Sequence, residues 1–271
     1  MGKITFDGYN NVDTPTIILQ NKNFDSLGSV TSFCCLAYTE NFNSPNELSF
    51  MLYKYMDGKE NTEWDSISDH KVLYVPELKE RFDIKTSLKE MDSAQKYITA
   101  TSLCESELSG VKLYGIEINT ETDIANPDYD ENFPTVFYRD PEKYLNYDWP
   151  PPKNEKYSDR QRKATILNSS VLHRLLEKAP HYSIKYVSPS LMDIQRSFHI
   201  SDTDVYSELT GEISEEFNCL FLFDSMSREI SVYDLYNTCK KCGYRGDFNE
   251  KCPECGGSEF DGQYGSDTTI F

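Results

Sequence analysis

Four cysteines near the end of the sequence have the type and spacing of a metal-binding site. They form two Cys-x-x-Cys pairs, Cys239/Cys242 and Cys252/Cys255, with nine residues between the pairs and a glycine after each pair. A Cys-x-x-Cys turn points both sulfurs to one side, and the glycine lets backbone amides approach the thiolates without a Cβ clash. Two such turns facing each other predict a tetrahedral site of four thiolates, a ligand set that selects Zn²⁺.

The predicted zinc is structural. Four protein ligands leave no open position for a substrate or an activated water. The short loop between the pairs predicts a zinc ribbon reduced to its two metal-binding turns. Disulfides between these cysteines are the alternative, but the repeated Cys-x-x-Cys spacing favours metal.

The net charge restricts the partners of such a ribbon. The sequence has 45 acidic and 27 basic residues, which gives a formal charge of −18. A protein this acidic repels phosphate backbones, so we do not expect nucleic acid to be the ligand. The basic residues of the ribbon are nearly balanced by acidic ones: Lys240, Lys241, Arg245 and Lys251 against Asp247, Glu250 and Glu254. We therefore expect the ribbon to stabilise the fold.

The composition is that of a globular protein made in a cytoplasm, with 38% hydrophobic and 13% aromatic residues. No apolar run approaches the roughly 20 residues that span a bilayer, and the N-terminus lacks a signal-peptide pattern. We expect no membrane partner. The four other cysteines lie in apolar or strand-like segments and are expected to be buried free thiols: Cys34, Cys35, Cys104 and Cys219.

Two regions of regular structure are expected. Residues 1–118 contain short β-forming runs separated by turn residues, which predicts a β-rich domain of small twisted sheets, barrel-like in form. Residues 166–237 predict an α+β module with helices packed on a small sheet. Its first helix is expected after an N-cap at Ser169–Ser170, and its second after Ser201–Asp204, with Glu208 solvated and Gly211 as a close-packing point.

Three further segments complete the predicted organisation. Residues 119–165 are acidic and rich in proline and aromatic residues, which favours an ordered excursion or arm over a surface; a mobile interdomain loop is the alternative. Residues 238–260 form the inserted zinc ribbon. Residues 261–271 end in a strand-like run, so we expect a return strand and a natural chain that continues. The overall prediction is an α+β, β-rich fold.

No catalytic constellation is recognisable in the sequence. The four histidines are His70, His173, His181 and His199, and none belongs to a known catalytic motif. His173 is expected to be solvated or capping. His181 with Ser183 could belong to a hydrolase site, but no acid or oxyanion group accompanies them. We therefore expect a binding or scaffold protein, with no catalytic or cofactor-binding residues.

Several stretches resemble a known family: 96–109, 113–124, 134–138, 172–184, 194–198, the cysteine pairs and 265–271. They are similar to the N-terminal hub region of tail proteins from siphophages and prophages of Firmicutes, the tail-associated lysin or prophage endopeptidase tail family. The resemblance covers most of residues 80–271. It implies barrel-like domains, related to the baseplate hub of contractile tails, that trimerise into a ring continuing the tail tube. The lytic activity of that family resides in C-terminal regions that this chain lacks, and a zinc ribbon is not general to hub proteins.

The resemblance implies a virion tail protein, assembled in the bacterial host cytoplasm. The implied partners are other copies of the chain, the distal tail protein, the tube and the tape measure, with DNA only as transiting cargo. An acidic lumen suits a DNA conduit, because a basic one would bind the passing phosphates. Aromatic groups such as Phe133, Phe137 and Tyr138 are candidates for the subunit interface. Two alternatives remain: a zinc-ribbon protein-interaction module or regulator, and a tail-associated peptidase.

Overall fold

The computed structural model describes residues 15–41, 44–68, 71–89, 94–118, 135–141, 164, 167–196, 198–248 and 250–262. The chain divides into two compact units. The first contains the described residues up to Glu107 together with Phe223–Arg228, and the second contains those of Leu108–Leu222 and Glu229–Thr268. The predicted fold class is confirmed, since the chain is rich in β-strands that form several antiparallel sheets, with a few helices.

Seven strands of the first unit form one antiparallel sheet. Across the sheet they lie in the order β2 (Ser26–Val30), β1 (Ile17–Gln20), β7 (Val72–Val75), β8 (Glu80–Lys89), β9 (Gln95–Ser102), β4 (Glu47–Tyr53) and β3 (Phe33–Thr39). A two-stranded hairpin follows β4: β5 (Tyr55–Met56) and β6 (Lys59–Glu60). Most strands of this sheet coincide with the predicted runs of β-forming residues, whereas β2 and the short hairpin were not predicted as strands of their own.

One face of this sheet holds the core of the first unit. In β4, Leu48, Phe50 and Leu52 are buried and alternate with more exposed residues. The register places Ile98 of β9 opposite Phe50, so the apolar faces of neighbouring strands coincide. Lys96 is also buried, and its ammonium group donates to the backbone carbonyls of Trp64 and Ile67. These bonds satisfy a charged group inside an apolar cluster.

The sheet does not close into a barrel. Its edge strands β2 and β3 are consecutive in the chain, and only Thr31 and Ser32 separate them. Among the described residues no ladder joins the two strands. At this corner the carboxylate of Glu63 accepts hydrogen bonds from the Thr31 amide at 3.0 Å, the Thr31 hydroxyl at 2.7 Å and the Ser32 amide at 3.1 Å. The Glu63 carboxylate therefore holds the link between the two edge strands.

The second unit has two small sheets and several short helices, and helix α1 (Leu103–Ser109) spans the end of the first unit and the start of the second. Strand β10 (Lys112–Ile118) pairs antiparallel with β12 (Phe198–Asp204), and a three-stranded sheet has the order β11 (Ser183–Val187), β14 (Glu229–Asp234) and β13 (Cys219–Asp224). Strands β11 and β14 are parallel. The helices are α1 (Leu103–Ser109), which follows β9, then α2 (Val171–Leu176), α3 (Pro189–Met192), α4 (Val205–Glu208) and α5 (Ser214–Phe217).

The helical region from α4 to α5 corrects two expectations. A π-helical turn (Leu209–Ile213) joins the two helices, and Gly211 lies at a kink where an added Cβ would meet no atom within 4 Å. Gly211 is therefore not a close-packing point. Glu208 is not solvated but buried. Asp204, the last residue of the predicted cap segment, caps α4 by accepting a 2.9 Å hydrogen bond from the Ser207 amide, whereas Ser201–Thr203 belong to β12.

Most of the predicted excursion at 119–165 lies outside the described residues, including Phe133. Its residues 135–141 cross α2, where the amides of Val171 and Leu172 donate to the carbonyls of Val136 and Phe137. Phe137 is fully buried, with its ring centroid 4.3 Å from that of Phe217. Phe137 thus belongs to the core of the second unit and is not available to a subunit interface.

Candidate metal centre

A small ribbon of three strands carries the four cysteines. Strand β15 (Asn237–Cys239) lies between β16 (Arg245–Gly246) and β17 (Phe260–Gly262), and both pairings are antiparallel. The predicted return strand therefore begins at Phe260, and the rest of 261–271 after Gly262 lies outside the described residues. Strand β15 ends at Cys239, so the Cys239 sulfur lies at the start of the first Cys-x-x-Cys turn.

The two Cys-x-x-Cys-Gly turns have the same backbone conformation. Gly243 has φ +76° and its amide donates to the Cys239 carbonyl at 2.8 Å; Gly256 has φ +66° and donates to the Cys252 carbonyl at 2.8 Å. In each turn the amide of the first cysteine donates to the carbonyl five residues later, at 2.8 Å. Both glycines have the left-handed conformation that a side chain would strain. The sequence repeat is thus a structural repeat.

The four sulfurs of this repeat lie together. All four are within 4.8 Å of one another, the Cys239 and Cys255 sulfurs being 3.5 Å apart and those of Cys242 and Cys252 being 3.6 Å apart. A tetrahedron with metal–sulfur distances of about 2.3 Å has sulfurs separated by roughly 3.8 Å. All four thiols are free, so the disulfide alternative does not describe this arrangement. The donor set fits a soft or borderline divalent metal.

The electrostatics of the cluster favour a bound cation. Burial acts to raise the pKa of Cys239, but the backbone amides of Cys242 and Lys241 lower it to about 7. The pKa of Cys242 rises to about 12: the backbone amide of Tyr244 lowers it, but the neighbouring sulfurs outweigh that amide. Four adjacent thiols therefore do not all ionise by themselves. A divalent cation would supply the positive charge that four thiolates require.

The cluster and the rings of Phe248 and Phe260 are the core of the ribbon, with the exposed Tyr244 ring beside them. Cys239 and Cys252 are buried with Phe248, whose ring centroid lies 5.5 Å from that of Phe260 and 5.9 Å from that of Tyr244. A Cβ added to Gly257 would lie 3.3 Å from the sulfurs of both Cys239 and Cys255. With so few apolar side chains, the ribbon has little to hold it together apart from its cysteines.

An ion pair that the sequence did not reveal attaches the ribbon to the sheet beside it. The Arg245 guanidinium binds Asp234 with Nε at 2.6 Å and Nη2 at 2.7 Å, and Nη2 also donates to the Phe217 carbonyl at 2.7 Å. Asp234 ends β14 and also accepts from the hydroxyl of Ser190 and the amide of Tyr236. Arg245 was expected to be one of several balanced surface charges. Its separation of eleven residues from Asp234 gave no signal, because the pairing depends on the fold.

The histidines do not form a recognisable active site in the described part of the chain. His173 is half-buried: its Nδ1 lies 2.8 Å from the Ser170 hydroxyl and its ring stacks on Tyr138, with centroids 5.2 Å apart. Burial lowers the pKa of His173 to about 4, although Asp140 acts to raise it. Ser170 is completely buried, which keeps its hydroxyl from any substrate. Ser170 does precede α2 as predicted, but its hydroxyl contacts His173 and accepts from the Arg139 amide, and it caps no amide of α2.

The other singled-out groups are separate from the metal centre. His181 and Ser183 are both exposed at the start of β11. His199 lies on β12, and His70 lies outside the described residues. Cys104 and Cys219 are buried as expected, whereas Cys35 is exposed and Cys34 is only partly buried, so that expectation was wrong for the adjacent pair. No helix in the described part of the chain is long and apolar enough to cross a membrane.

Comparison with known proteins gives structural neighbours only. No family model matches the sequence, and no curated protein matches it. A prophage tail protein from Listeria monocytogenes EGD-e, gp18, aligns over 80% of this chain and 50% of its own, with 11% identity and a TM-score of 0.46. The 43 kDa tail protein of prophage MuSo2 from Shewanella oneidensis aligns over 83% and 54%, with 10% identity and a TM-score of 0.36. The chain thus spans about half the length of these tail proteins.

Proposed function

We propose that this chain is a structural protein of a phage or prophage tail, forming a ring-shaped hub at the distal end of the tail tube. The observation that carries the proposal is the position of the stretches that resemble the hub family. They coincide with β9 and α1, with all of β10 after its first residue, and with the segment 135–138 that contacts α2. The resemblance thus falls on packed elements of both units. Structural similarity below a TM-score of 0.5 adds nothing to this assignment.

The charge of the chain supports the same role. A ring around a DNA channel needs a wall that does not bind phosphates, and a net charge of −18 provides the carboxylates for it. The four-cysteine cluster supports a structural role for its metal. Zn²⁺ held by Cys239, Cys242, Cys252 and Cys255 would have no open coordination position, and when bound it would supply folding free energy to the ribbon.

The oligomeric state tests the hub directly. We expect a trimer with cyclic symmetry and heterologous contacts. Carboxylates that face one another across a channel repel, so added salt should favour the closed ring by screening them. Light scattering at several protein concentrations, in low and high salt, measures both effects. Electron microscopy of the same samples shows whether the trimers are rings with a central channel.

The outcomes separate the proposal from its alternatives. A monomer at every concentration and salt, with a binding partner that is not a tail protein, would indicate a zinc-ribbon interaction module or regulator. Peptide cleavage that is lost in both His181→Ala and Ser183→Ala would indicate a peptidase. A ring whose channel is lined with lysine and arginine would contradict a DNA conduit, even if the trimer forms.

A further inference from the structure

Two adjacent cysteines lie at a bulge on the open edge of the seven-stranded sheet. In the pairing of β3 with β4, Cys34 is opposite Met51 and Ala37 is opposite Ser49, so two residues of β3 occupy the space opposite Phe50. Cys35 is one of these two residues and has φ +55°. In a regular strand adjacent side chains point to opposite faces, but a bulge with one left-handed residue changes that alternation. Cys34 and Cys35 can thus share one face.

The contacts of the two thiols agree with this geometry. Burial, and then the neighbouring Cys35 thiol, raise the pKa of Cys34, while the Tyr53 hydroxyl acts to lower it, so the three groups lie near one another. Cys35 is exposed and Cys34 is partly buried. Because β3 is an edge strand, a small reagent can reach both sulfurs without opening the sheet. The pair is therefore a preformed, accessible dithiol that the zinc ribbon does not use.

The spacing of the pair makes a direct disulfide unfavourable. Adjacent Cα atoms are about 3.8 Å apart, whereas disulfide-bonded residues have Cα atoms about 4.4–6.8 Å apart. A disulfide in so small a ring is strained and readily reduced. A third atom between the two sulfurs lengthens the bridge and relieves this mismatch. Thiolates select soft ions, so an atom of that class is the suitable bridge.

We propose that Cys34 and Cys35 form a vicinal dithiol site that binds a soft thiophilic ion through both sulfurs, with trivalent arsenic as its diagnostic ligand. With phenylarsine oxide as the probe, two arsenic–sulfur bonds form and the arsenic–oxygen bond breaks. The oxygen leaves as water with the two thiol protons. Arsenic remains trivalent, so no oxidant or reductant is required.

Peptide mapping locates the adduct. The zinc-loaded full chain is treated with phenylarsine oxide and digested with trypsin, which cleaves after Lys22 and Lys54. The resulting peptide, 23–54, contains Cys34 and Cys35 and no other cysteine. We expect one phenylarsenic group on this peptide, with both thiols consumed, removable by a small dithiol but not by the same concentration of a monothiol.

Single substitutions distinguish a two-thiol site from ordinary cysteine labelling. Cys34→Ser and Cys35→Ser should each weaken retention of the adduct by roughly 10²-fold, because the second bond to arsenic forms at a high effective concentration. Cys104→Ser removes a buried thiol elsewhere in the same unit and should change nothing. If either single variant retained the adduct as well as the parent protein, the proposal would be overturned. Arsenic found only on the peptides of the zinc ribbon would overturn it as well.

Discussion

Arg245 and Asp234 form a two-bond ion pair in which the carboxylate is 1% and the guanidinium side chain 18% exposed. The pair joins β16 of the ribbon to the end of β14, and Arg245 also reaches the last carbonyl of α5. Its planar group lies 4.8 Å from the Tyr236 ring centroid, in cation–π contact. The ribbon is thus attached to the sheet and to a helix end by one side chain.

Removing this arginine should destabilise the chain strongly. Arg245→Ala leaves a buried carboxylate without its cation, and we expect the free energy of unfolding to fall by about 3 kcal/mol. Arg245→Lys keeps the charge but cannot form both bonds, so an intermediate loss is expected. Lys240→Ala is the control, because its partner Asp261 is largely exposed and such a pair contributes little to stability. Urea denaturation followed by circular dichroism gives all three values, and equal losses for Arg245→Ala and Lys240→Ala would contradict the anchoring role.

Zinc removal should loosen the ribbon and leave the rest folded. Elemental analysis of freshly purified protein should give one zinc per chain. Structural zinc sites contribute on the order of 10 kcal/mol of binding free energy that is largely local folding energy. Cys252→Ser, or treatment with a chelator, should therefore increase amide exchange across residues 238–260 while β11, β13 and β14 stay protected. Absence of stoichiometric metal, or a disulfide among the four cysteines, would exclude the site.

Gly257 should limit the space around the metal. Gly257→Ala places a methyl group 3.3 Å from two sulfurs, so the cysteines must move apart or rotate. We expect weaker zinc binding, measured as faster transfer of zinc to a coloured chelator. The neighbouring Ser258→Ala is the control, because Ser258 is exposed. Equal rates of zinc transfer in Gly257→Ala and Ser258→Ala would mean that the turn accommodates the added methyl group without weakening zinc binding.

Glu208 should make stability depend on pH near neutrality. Burial, and then the charge of Glu212, raise the pKa of Glu208 from 4.5 to about 7. A carboxyl with a raised pKa binds its proton more tightly in the folded state than in the unfolded state. Its contribution to the stability of the folded state is therefore complete below pH 4.5 and is lost as the pH rises to about 7. Glu208→Gln should therefore be more stable than the parent at pH 8, by on the order of 2 kcal/mol, with the difference vanishing near pH 4.

The exposed Glu216 gives a matched control for this titration, since Glu216→Gln lies on the same helical region. Its stability should follow the parent at every pH. A constant difference between Glu208→Gln and the parent from pH 4 to pH 8 would show that Glu208 does not change its protonation over that range.

Apolar alternation predicted most of the strands because burial on one face leaves a period of two in the sequence. Leu48, Phe50 and Leu52 are an example. It missed β2, which is almost entirely exposed and has no apolar stripe. It also predicted a barrel, because pattern alone cannot tell whether the last pair of strands meets. The Glu63 carboxylate that binds the link between β2 and β3 comes from a turn distant in sequence.

The clustering of the four cysteines was predictable because each half of the site is a local turn with its own glycine. Their attachment to the sheet was not. Arg245 is one of several basic residues around the cysteines, and Glu208 one of several acidic residues on its helix. Only the packed structure distinguishes the buried member of each group from its solvated neighbours.

The order of Asp234 and Arg245 along the chain has a consequence for synthesis on the ribosome. The carboxylate that ends β14 is translated before its cation, and the last cysteine, Cys255, is translated later still. The nascent sheet must therefore keep Asp234 hydrated, or frayed at that end, until Arg245 emerges. The four-cysteine cluster can be complete only after Cys255 has left the exit tunnel, so the strand end is locked and the ribbon closed only after β14 has been made.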